Sequence, residues 1–225
     1  MNYLVVTTKS WNVDNFLKLQ TLDKKNNWFL ITKKEQLTLK KIKRINPRYI
    51  FFPHWSWIIP GEVFKNYECV VFHMTDLPYG RGGSPLQNLL VRNFKKTKIT
   101  ALRVVEALDA GDVYLKKNLI LSGTAEEIFK KASGIVYQSI QEIVRRNPTP
   151  KPQFGKVVTF TRRKPEEGDI TQLNKLVDVY NYIRMLTAEG YPRAFLEKNK
   201  IRLEFEYPKY KKKYIEARVI IKILE

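Results

Sequence analysis

Four short runs of apolar, β-branched and aromatic residues most constrain what this chain can fold into. They cover residues 3–8, 28–32, 49–52 and 69–72. Between the first three runs lie stretches with apolar residues at helical spacing, residues 11–24 and 35–45, and Pro47 follows the second. An alternation of strand and helix favours a parallel sheet covered by helices on both faces. We therefore predict an α/β fold with a Rossmann-like core and a mostly parallel sheet.

The second half of the chain predicts further strands, one long helix and a change of architecture. Strand signals recur at residues 99–105 and 112–115, and a helix begins at Thr124 and runs to about Arg146. The proline-rich segment 147–152 is typical of a stiff, extended linker. We therefore expect one domain over residues 1–150. Residues 151–225 would then hold a linker, a helix and a small β-rich C-terminal subdomain.

Charge and rare residues exclude several classes of protein. Lys and Arg number 41 against 22 Asp and Glu, a formal net charge of +19. This surplus predicts an anionic partner: nucleic acid, an acidic membrane or a phosphorylated small molecule. With two histidines and one cysteine, we expect no metal site. Because there is no apolar run of about 18 residues and no signal-peptide pattern, we expect a cytoplasmic protein without a membrane contact.

Three loops after predicted strands carry the chemically useful residues. They cover residues 53–60, 73–85 and 107–112, at the edge where open α/β sheets bind ligands. His54 lies in the first loop and His73 directly follows the fourth strand. An imidazole can move protons near neutral pH, and a carboxylate can orient it; Asp109 and Asp112 are the candidates. Taken singly, these residues fit ordinary hydrogen-bonded loops and turns equally well.

Together, the loops resemble those of a known family. The order His73-x-x-x-Leu77-Pro78-x-x-Arg81-Gly82-x-x-Pro85, followed by Leu108-Asp109-x-Gly111-Asp112, is similar to the folate-dependent formyltransferases. That family includes methionyl-tRNA formyltransferase, glycinamide ribonucleotide formyltransferase and the nucleotide-sugar N-formyltransferases. The resemblance covers most of the chain. It implies a Rossmann-like formyltransferase core and N10-formyltetrahydrofolate as the cosubstrate, with no metal.

The resemblance also implies catalytic residues. The family uses an asparagine, a histidine and an aspartate, of which the last two match His73 and Asp109. The asparagine lies two residues before the histidine, and that position here is Val71. One hypothesis is that His54 replaces the missing amide as a hydrogen-bond donor; the alternative is that His54 is a structural loop residue.

The cosubstrate site follows from the same resemblance. The family binds the pterin ring through the backbone of the loop before the histidine strand. The positions expected to bind the cosubstrate are Trp57, Ile58, Ile59, Gly83, Val105, Ala107, Leu108 and Asp109.

Three acceptor amines are compatible with the family. We favour a nucleotide-linked amino sugar, such as a UDP-linked 4-amino-4,6-dideoxy sugar of a pseudaminic-acid-type pathway for cell-surface glycans. The other two acceptors are methionyl-tRNA and glycinamide ribonucleotide. A non-catalytic nucleic-acid-binding module on the same scaffold is a further alternative. We expect nucleic acid to be a less favoured partner than the nucleotide sugar. A homodimer through the C-terminal strands is also expected. The predicted substrate contacts are Arg81, Arg162, Arg163, Lys164 and Arg184.

Overall fold

The computed structural model describes residues 1–224. Within them the strands are β1 (Asn2–Val6), β2 (Asn27–Ile31), β3 (Tyr49–Phe52), β4 (Cys69–His73), β5 (Tyr79–Gly82), β6 (Lys96–Arg103), β7 (Val113–Ile120), β8 (Val158–Phe160), β9 (Ala194–Lys198), β10 (Ile201–Tyr210) and β11 (Ile215–Ile223). The α-helices are α1 (Ser10–Leu22), α2 (Leu39–Ile45), α3 (Gly61–Phe64), α4 (Pro85–Val91), α5 (Ala125–Arg146) and α6 (Leu176–Leu186). Two 3-10 helices cover Lys34–Gln36 and Pro165–Gly168.

The central sheet has the strand order β2-β1-β3-β4-β6-β7. Strands β1 to β4 are mutually parallel, as the alternating strand and helix signals predict. Strand β6 is antiparallel to β4, so that Thr100 lies opposite His73. The predicted α/β fold with a mostly parallel sheet is therefore confirmed, and the antiparallel strand is a feature that composition did not predict.

Both faces of β1 and β3 are buried, which explains why their sequences are continuously apolar rather than alternating. On one face, Tyr3 stacks near Trp28 at 4.9 Å between ring centroids, and Tyr49 lies 5.5 Å from Phe51. The other face is aliphatic and forms one buried cluster. Its members are Leu4, Val6, Ile31, Ile42, Ile45, Ile50, Phe52, Ile59, Val63 and Cys69.

Helix α5 begins where the sequence places its start. The amide of Thr124 donates to Glu127 Oε2 at 2.8 Å, and the amide of Glu127 donates back to Thr124 Oγ1 at 3.3 Å. This reciprocal pair is a capping box, which satisfies amide donors that the first helical turn leaves open. The helix ends at Arg146, as predicted.

The predicted linker is not a free connection. The backbone of Lys151 exchanges two hydrogen bonds with Val113 at the start of β7, at 2.7 and 2.9 Å. The chain forms two compact units, and their boundary does not fall at residue 150. The first unit comprises residues 1–81, 98–119 and 130–159, and the second comprises residues 82–97, 120–129 and the chain from residue 160.

The second unit contains a three-stranded antiparallel sheet of order β11-β10-β9, so the predicted β-rich C-terminal region is present. Side chains alternate between its two faces. One face carries the buried carboxylates of Glu204 and Glu206, which pair with Arg193 at 3.4 and 2.6 Å. The other face is apolar along β10 and β11. Its cross-strand pairs are Ile201 with Ile223, Leu203 with Ile221, and Phe205 with Val219.

Among residues 1–224, no helix is both long enough and apolar enough to cross a membrane.

Candidate active site

His73 ends β4, and both nitrogens of its ring face oxygen atoms. Its Nε2 lies 2.7 Å from the carbonyl oxygen of Gly80, and its Nδ1 lies 3.4 Å from Oδ2 of Asp109. The ring is buried, with 8% of the residue exposed. A carbonyl oxygen and a carboxylate oxygen can only accept hydrogen bonds, whereas a neutral imidazole donates only one. The two acceptors therefore fix the orientation of the ring, with the Asp109 carboxylate beside Nδ1.

Asp109 reaches His73 from the loop between β6 and β7. Its backbone is in the left-handed region, with φ of +53°, a conformation that costs about 1 kcal/mol and that aspartate tolerates better than most residues. Two residues later the loop passes close to β6. A Cβ on Gly111 would lie 1.9 Å from the carbonyl oxygen of Arg103. Of the two aspartates that the sequence offered as partners for His73, the structure brings Asp109 to the ring.

A side chain that the sequence did not identify holds this loop. The carboxamide nitrogen of Gln153 donates to the carbonyl oxygens of Asp109 and Gly111 at 2.8 and 2.9 Å. Its oxygen accepts from Nε and Nη2 of Arg81 at 3.1 and 2.8 Å. Gln153 follows the proline-rich segment, and nothing in that pattern signals a functional amide. Arg81, expected to bind substrate, thus uses two of its donors within the protein.

Val71 occupies the position where the family has its asparagine, and the structure shows what the valine does there. It lies opposite Phe52 in the parallel pairing of β3 and β4 and packs against the aliphatic cluster. Because side chains two residues apart on a strand share a face, Val71 and His73 lie on the same side of β4. This side of the strand therefore presents an apolar group just before the histidine.

His54 turns the chain after β3, with φ of +51°. Its ring centroid lies 5.7 Å from that of Trp11 in α1. Burial, followed by the nearby charge of Lys9, lowers the pKa of His54 to about 4, so the ring is neutral at neutral pH. A neutral imidazole can donate one hydrogen bond, and the hypothesis that His54 supplies the missing donor stays a prediction.

Exposed apolar side chains occur on both loops expected to bind the cosubstrate. Trp57 and Ile58 are 41% and 84% exposed, and Leu108 is 64% exposed on the loop that carries Asp109. Val105 and Ala107 are exposed as well. Apolar groups held on the surface suit a flat heterocycle. Ile59 differs, because its side chain is buried in the aliphatic cluster, so only its backbone could serve a ligand.

Gly83, also expected at the cosubstrate site, is tightly packed in the second unit. Its amide donates to the carbonyl oxygen of Phe160 at 3.1 Å, and a Cβ there would lie 2.5 Å from Cβ of Arg162. The glycine is thus required by the close approach of two backbone segments. Its contact with the cosubstrate stays a prediction.

The basic residues expected to contact the substrate differ in their surroundings. Arg184 is 3% exposed and donates to Asn181 Oδ1 and to the carbonyl oxygens of Leu121 and Gly123. Its prediction as a substrate contact is corrected, because the buried guanidinium is committed to the fold of the second unit. Arg162 and Lys164 are exposed, and Arg163 is half-buried and donates to the carbonyl oxygen of Glu167 at 2.8 Å.

Within residues 1–224, no group of three or more His, Cys, Asp and Glu side chains is arranged to hold a metal ion. The first unit offers a buried imidazole–carboxylate pair, His73 and Asp109, and exposed apolar residues on the loops described above. Such a pair can take up a proton, hold the resulting charge and release the proton again.

Comparison with known proteins extends this description. Residues 165–222 match the family model described as the C-terminal domain of methionyl-tRNA formyltransferase. The methionyl-tRNA formyltransferase of Thermodesulfovibrio yellowstonii is 26% identical over 178 residues, which cover 76% of this chain and 58% of that protein. A solved structure of a methionyl-tRNA formyltransferase from Clostridium thermocellum is 52% identical, with a TM-score of 0.97, and 99% of each chain is covered.

Similarity to sugar enzymes is weaker. A sugar N-formyltransferase from Shewanella has a TM-score of 0.70 with 15% identity, covering 88% of this chain and 93% of that one. An identity this low shows the fold alone. The expectation that the chain most resembles the sugar enzymes is therefore wrong, since it resembles a methionyl-tRNA formyltransferase more strongly.

Coverage differs between these relatives. The chain spans 58% of the length of the Thermodesulfovibrio protein and nearly the whole of the Clostridium chain. The Clostridium protein is 52% identical over 99% of both chains. The loops that carry the family motifs bring His73 and Asp109 together in this chain. The chain belongs to the folate-dependent formyltransferase family.

Proposed function

We propose that this protein transfers the formyl group of N10-formyltetrahydrofolate to the amino group of methionyl-tRNA. The observation that carries the proposal is the 52% identity, over 99% of both chains, to the Clostridium methionyl-tRNA formyltransferase. The C-terminal match over residues 165–222 supports the same acceptor. The formal net charge of +19 also favours binding of a ligand with a phosphate backbone.

The cosubstrate supplies the formyl carbon that the acceptor amine attacks. A new C–N bond forms, negative charge develops on the formyl oxygen, and the attacking nitrogen must lose a proton. When the carbonyl re-forms, the bond between the formyl carbon and N10 breaks, and tetrahydrofolate leaves with a proton taken up at N10. His73 is the group that holds or passes this proton, and Asp109, 3.4 Å from its Nδ1, stabilises the charged ring. Trp57, Ile58 and Leu108 supply the apolar surface for the pterin.

Exposed cations of the second unit are the proposed contacts for the anionic acceptor. Arg162 and Lys164 are exposed on the segment after β8, and Lys211, Lys212 and Lys213 are exposed in the turn between β10 and β11. Each phosphate contact releases counterions, so binding of tRNA should weaken steeply as salt rises. Arg163 belongs to the same segment and is a proposed contact through its remaining donors.

The acceptor is tested by direct competition between the candidates. The protein is incubated with N10-formyltetrahydrofolate and either methionyl-tRNA or a panel of nucleotide-linked amino sugars, and products are weighed by mass spectrometry. We expect a gain of one formyl group on methionyl-tRNA alone, with a rate that falls as salt rises. Formylation of a sugar instead would restore the expectation from the loop sequences. Salt-sensitive tRNA binding without any product would support the non-catalytic alternative.

A further inference from the structure

The segment after α5 contributes a side chain to the site described above. Lys151 is fixed beside β7 by two backbone hydrogen bonds to Val113, and Gln153 follows it by two residues. The side chain of Gln153 is half-buried and uses both ends of its carboxamide. One end faces the loop that carries Asp109, and the other faces Arg81.

These contacts form a closed cycle of residues that includes His73. The ring nitrogens of His73 face Gly80 and Asp109. Gly80 is bonded to Arg81, whose guanidinium donates to Gln153 at 2.8 and 3.1 Å. Gln153 in turn donates to the backbone of Asp109 at 2.8 Å. Two loops that are 28 residues apart in the sequence, at residues 81 and 109, are thereby joined by one side chain.

The loop needs such a partner for a physical reason. Asp109 is held at φ of +53°, which a free loop seldom populates. Its carbonyl oxygen and that of Gly111 both point at the same donor group. A carboxamide offers two donor hydrogens and an acceptor oxygen on one side chain. A glutamate in its place keeps only the acceptor, and a lysine keeps only donors.

We propose that Gln153 is a positioning residue, which holds the Asp109 loop against Arg81 so that the carboxylate faces His73. This inference rests on the proposed function, because it assigns Gln153 a part in the same formyl transfer. Gln153 itself acts through Asp109. Displacement of a catalytic group by about 1 Å costs on the order of 100-fold in rate, which sets the scale of the expected effect.

The first test compares removal of both ends of the carboxamide with removal of its donor end alone. Gln153→Met removes both, and Gln153→Glu keeps the acceptor for Arg81 but not the donor for the loop. We expect both variants to lower kcat by about 10- to 100-fold, with KM for methionyl-tRNA within threefold of the wild-type value. Gln141→Met, an exposed position on α5, is the matched control and should retain full kcat.

A second measurement does not depend on activity. The chain has only two histidines, so their Cε1–H signals in an NMR spectrum are assigned with His54→Asn. In Gln153→Met and Gln153→Glu, the signal of His73 should move while that of His54 stays in place. Thermal unfolding establishes that each variant is folded.

The outcomes separate the two proposals. If folded Gln153→Met keeps kcat within twofold and the His73 signal does not move, the positioning role is overturned. If the wild-type protein forms no formyl-methionyl-tRNA but the His73 signal still responds to Gln153, the acceptor is wrong and the positioning role stands. In the double variant Arg81→Met/Gln153→Met, a loss of kcat no larger than in Gln153→Met alone supports the cycle of contacts, and an additive loss contradicts it.

Discussion

Asp109 places Oδ2 3.4 Å from Nδ1 of His73 although the two residues come from different loops and Asp109 has a left-handed backbone. The opposite nitrogen of the ring, Nε2, faces the carbonyl oxygen of Gly80 at 2.7 Å. The imidazole is therefore held from both sides, and of these two contacts the one to Asp109 involves a charged group. The catalytic competence of His73 should depend on that carboxylate.

We expect Asp109→Asn to lower kcat by about 100-fold or more, because an amide cannot balance a protonated imidazole. Asparagine tolerates the positive φ of this position, so folding should be preserved. The measurement is kcat for formyl transfer together with the melting temperature. Asp112→Asn, on the same loop, serves as the control. Nearly full activity in Asp109→Asn would remove the pair from the mechanism.

Gly111→Ala should lower kcat although it replaces no catalytic side chain. The new methyl group would meet the carbonyl oxygen of Arg103 at 1.9 Å, so the loop that carries Asp109 must shift. We expect a loss of kcat of at least tenfold. Gly134→Ala in α5 is the matched control, because a Cβ there meets nothing within 4 Å. That variant should keep its kcat and gain about 0.5–1 kcal/mol of stability, since alanine favours a helix over glycine.

The low pKa of His54 should make the protein sensitive to acid. Its pKa is about 4 in the folded state, against about 6.5 in an unfolded chain, so the unfolded state binds the proton first as pH falls. Between pH 7 and pH 4.5 this difference lowers the free energy of unfolding by about 2 kcal/mol. His54→Asn, which suits φ of +51°, should lose that dependence. Urea unfolding at the two pH values measures it; equal slopes in both proteins would contradict it.

Catalysis tests the other role suggested for His54. If its neutral ring donates a hydrogen bond in place of the amide absent at Val71, His54→Ala should lose about 100-fold or more in kcat with little change in folate affinity. Steady-state kinetics with a folate-binding titration gives both quantities. A variant with nearly full kcat would leave His54 as a structural residue packed on Trp11.

Self-association through the C-terminal sheet stays a prediction, and its apolar face is where to test it. Val219, Ile221 and Ile223 on β11 are 44%, 69% and 83% exposed. A specific interface between two such faces must bury about 1,000 Å² or more. Sedimentation should show a dimer that Ile221→Lys/Ile223→Lys abolishes. Lys211, Lys212 and Lys213 are exposed in the turn that joins β10 to β11, so salt should screen the repulsion between two copies and tighten their association, opposite to its effect on tRNA binding. A monomer at all salt concentrations would refute it.

The sequence predicts those parts of the molecule whose signals are local. Strands β1 and β3 are buried on both faces, so their apolar runs are unambiguous, and the start of α5 has a capping box. Strand β5 was not predicted, because Tyr79-Gly80-Arg81-Gly82 lacks strand composition and pairs with β8 through close glycine contacts.

Site residues divide in the same way. The loop motifs predict His73 and Asp109 as a catalytic pair, and the structure places their side chains 3.4 Å apart, while their catalytic role stays a prediction. Gln153 was missed, because a single amide after a proline-rich segment has no recognisable pattern, and its partners come from two distant loops. Arg184 was misassigned because sequence alone does not distinguish an exposed guanidinium from one buried against three oxygen acceptors.

The tether between Lys151 and Val113 has a consequence for how the site is assembled. A fragment that stops at residue 150 would contain every strand of the central sheet and both members of the His73–Asp109 pair. It would lack Gln153, whose carboxamide closes the cycle of contacts. During synthesis the hydrogen bonds from Gln153 to the Asp109 loop can form only after residue 153 has left the ribosome. If Gln153 holds the Asp109 loop as proposed, fusions and circular permutants that keep the central sheet should also keep residues 151–153.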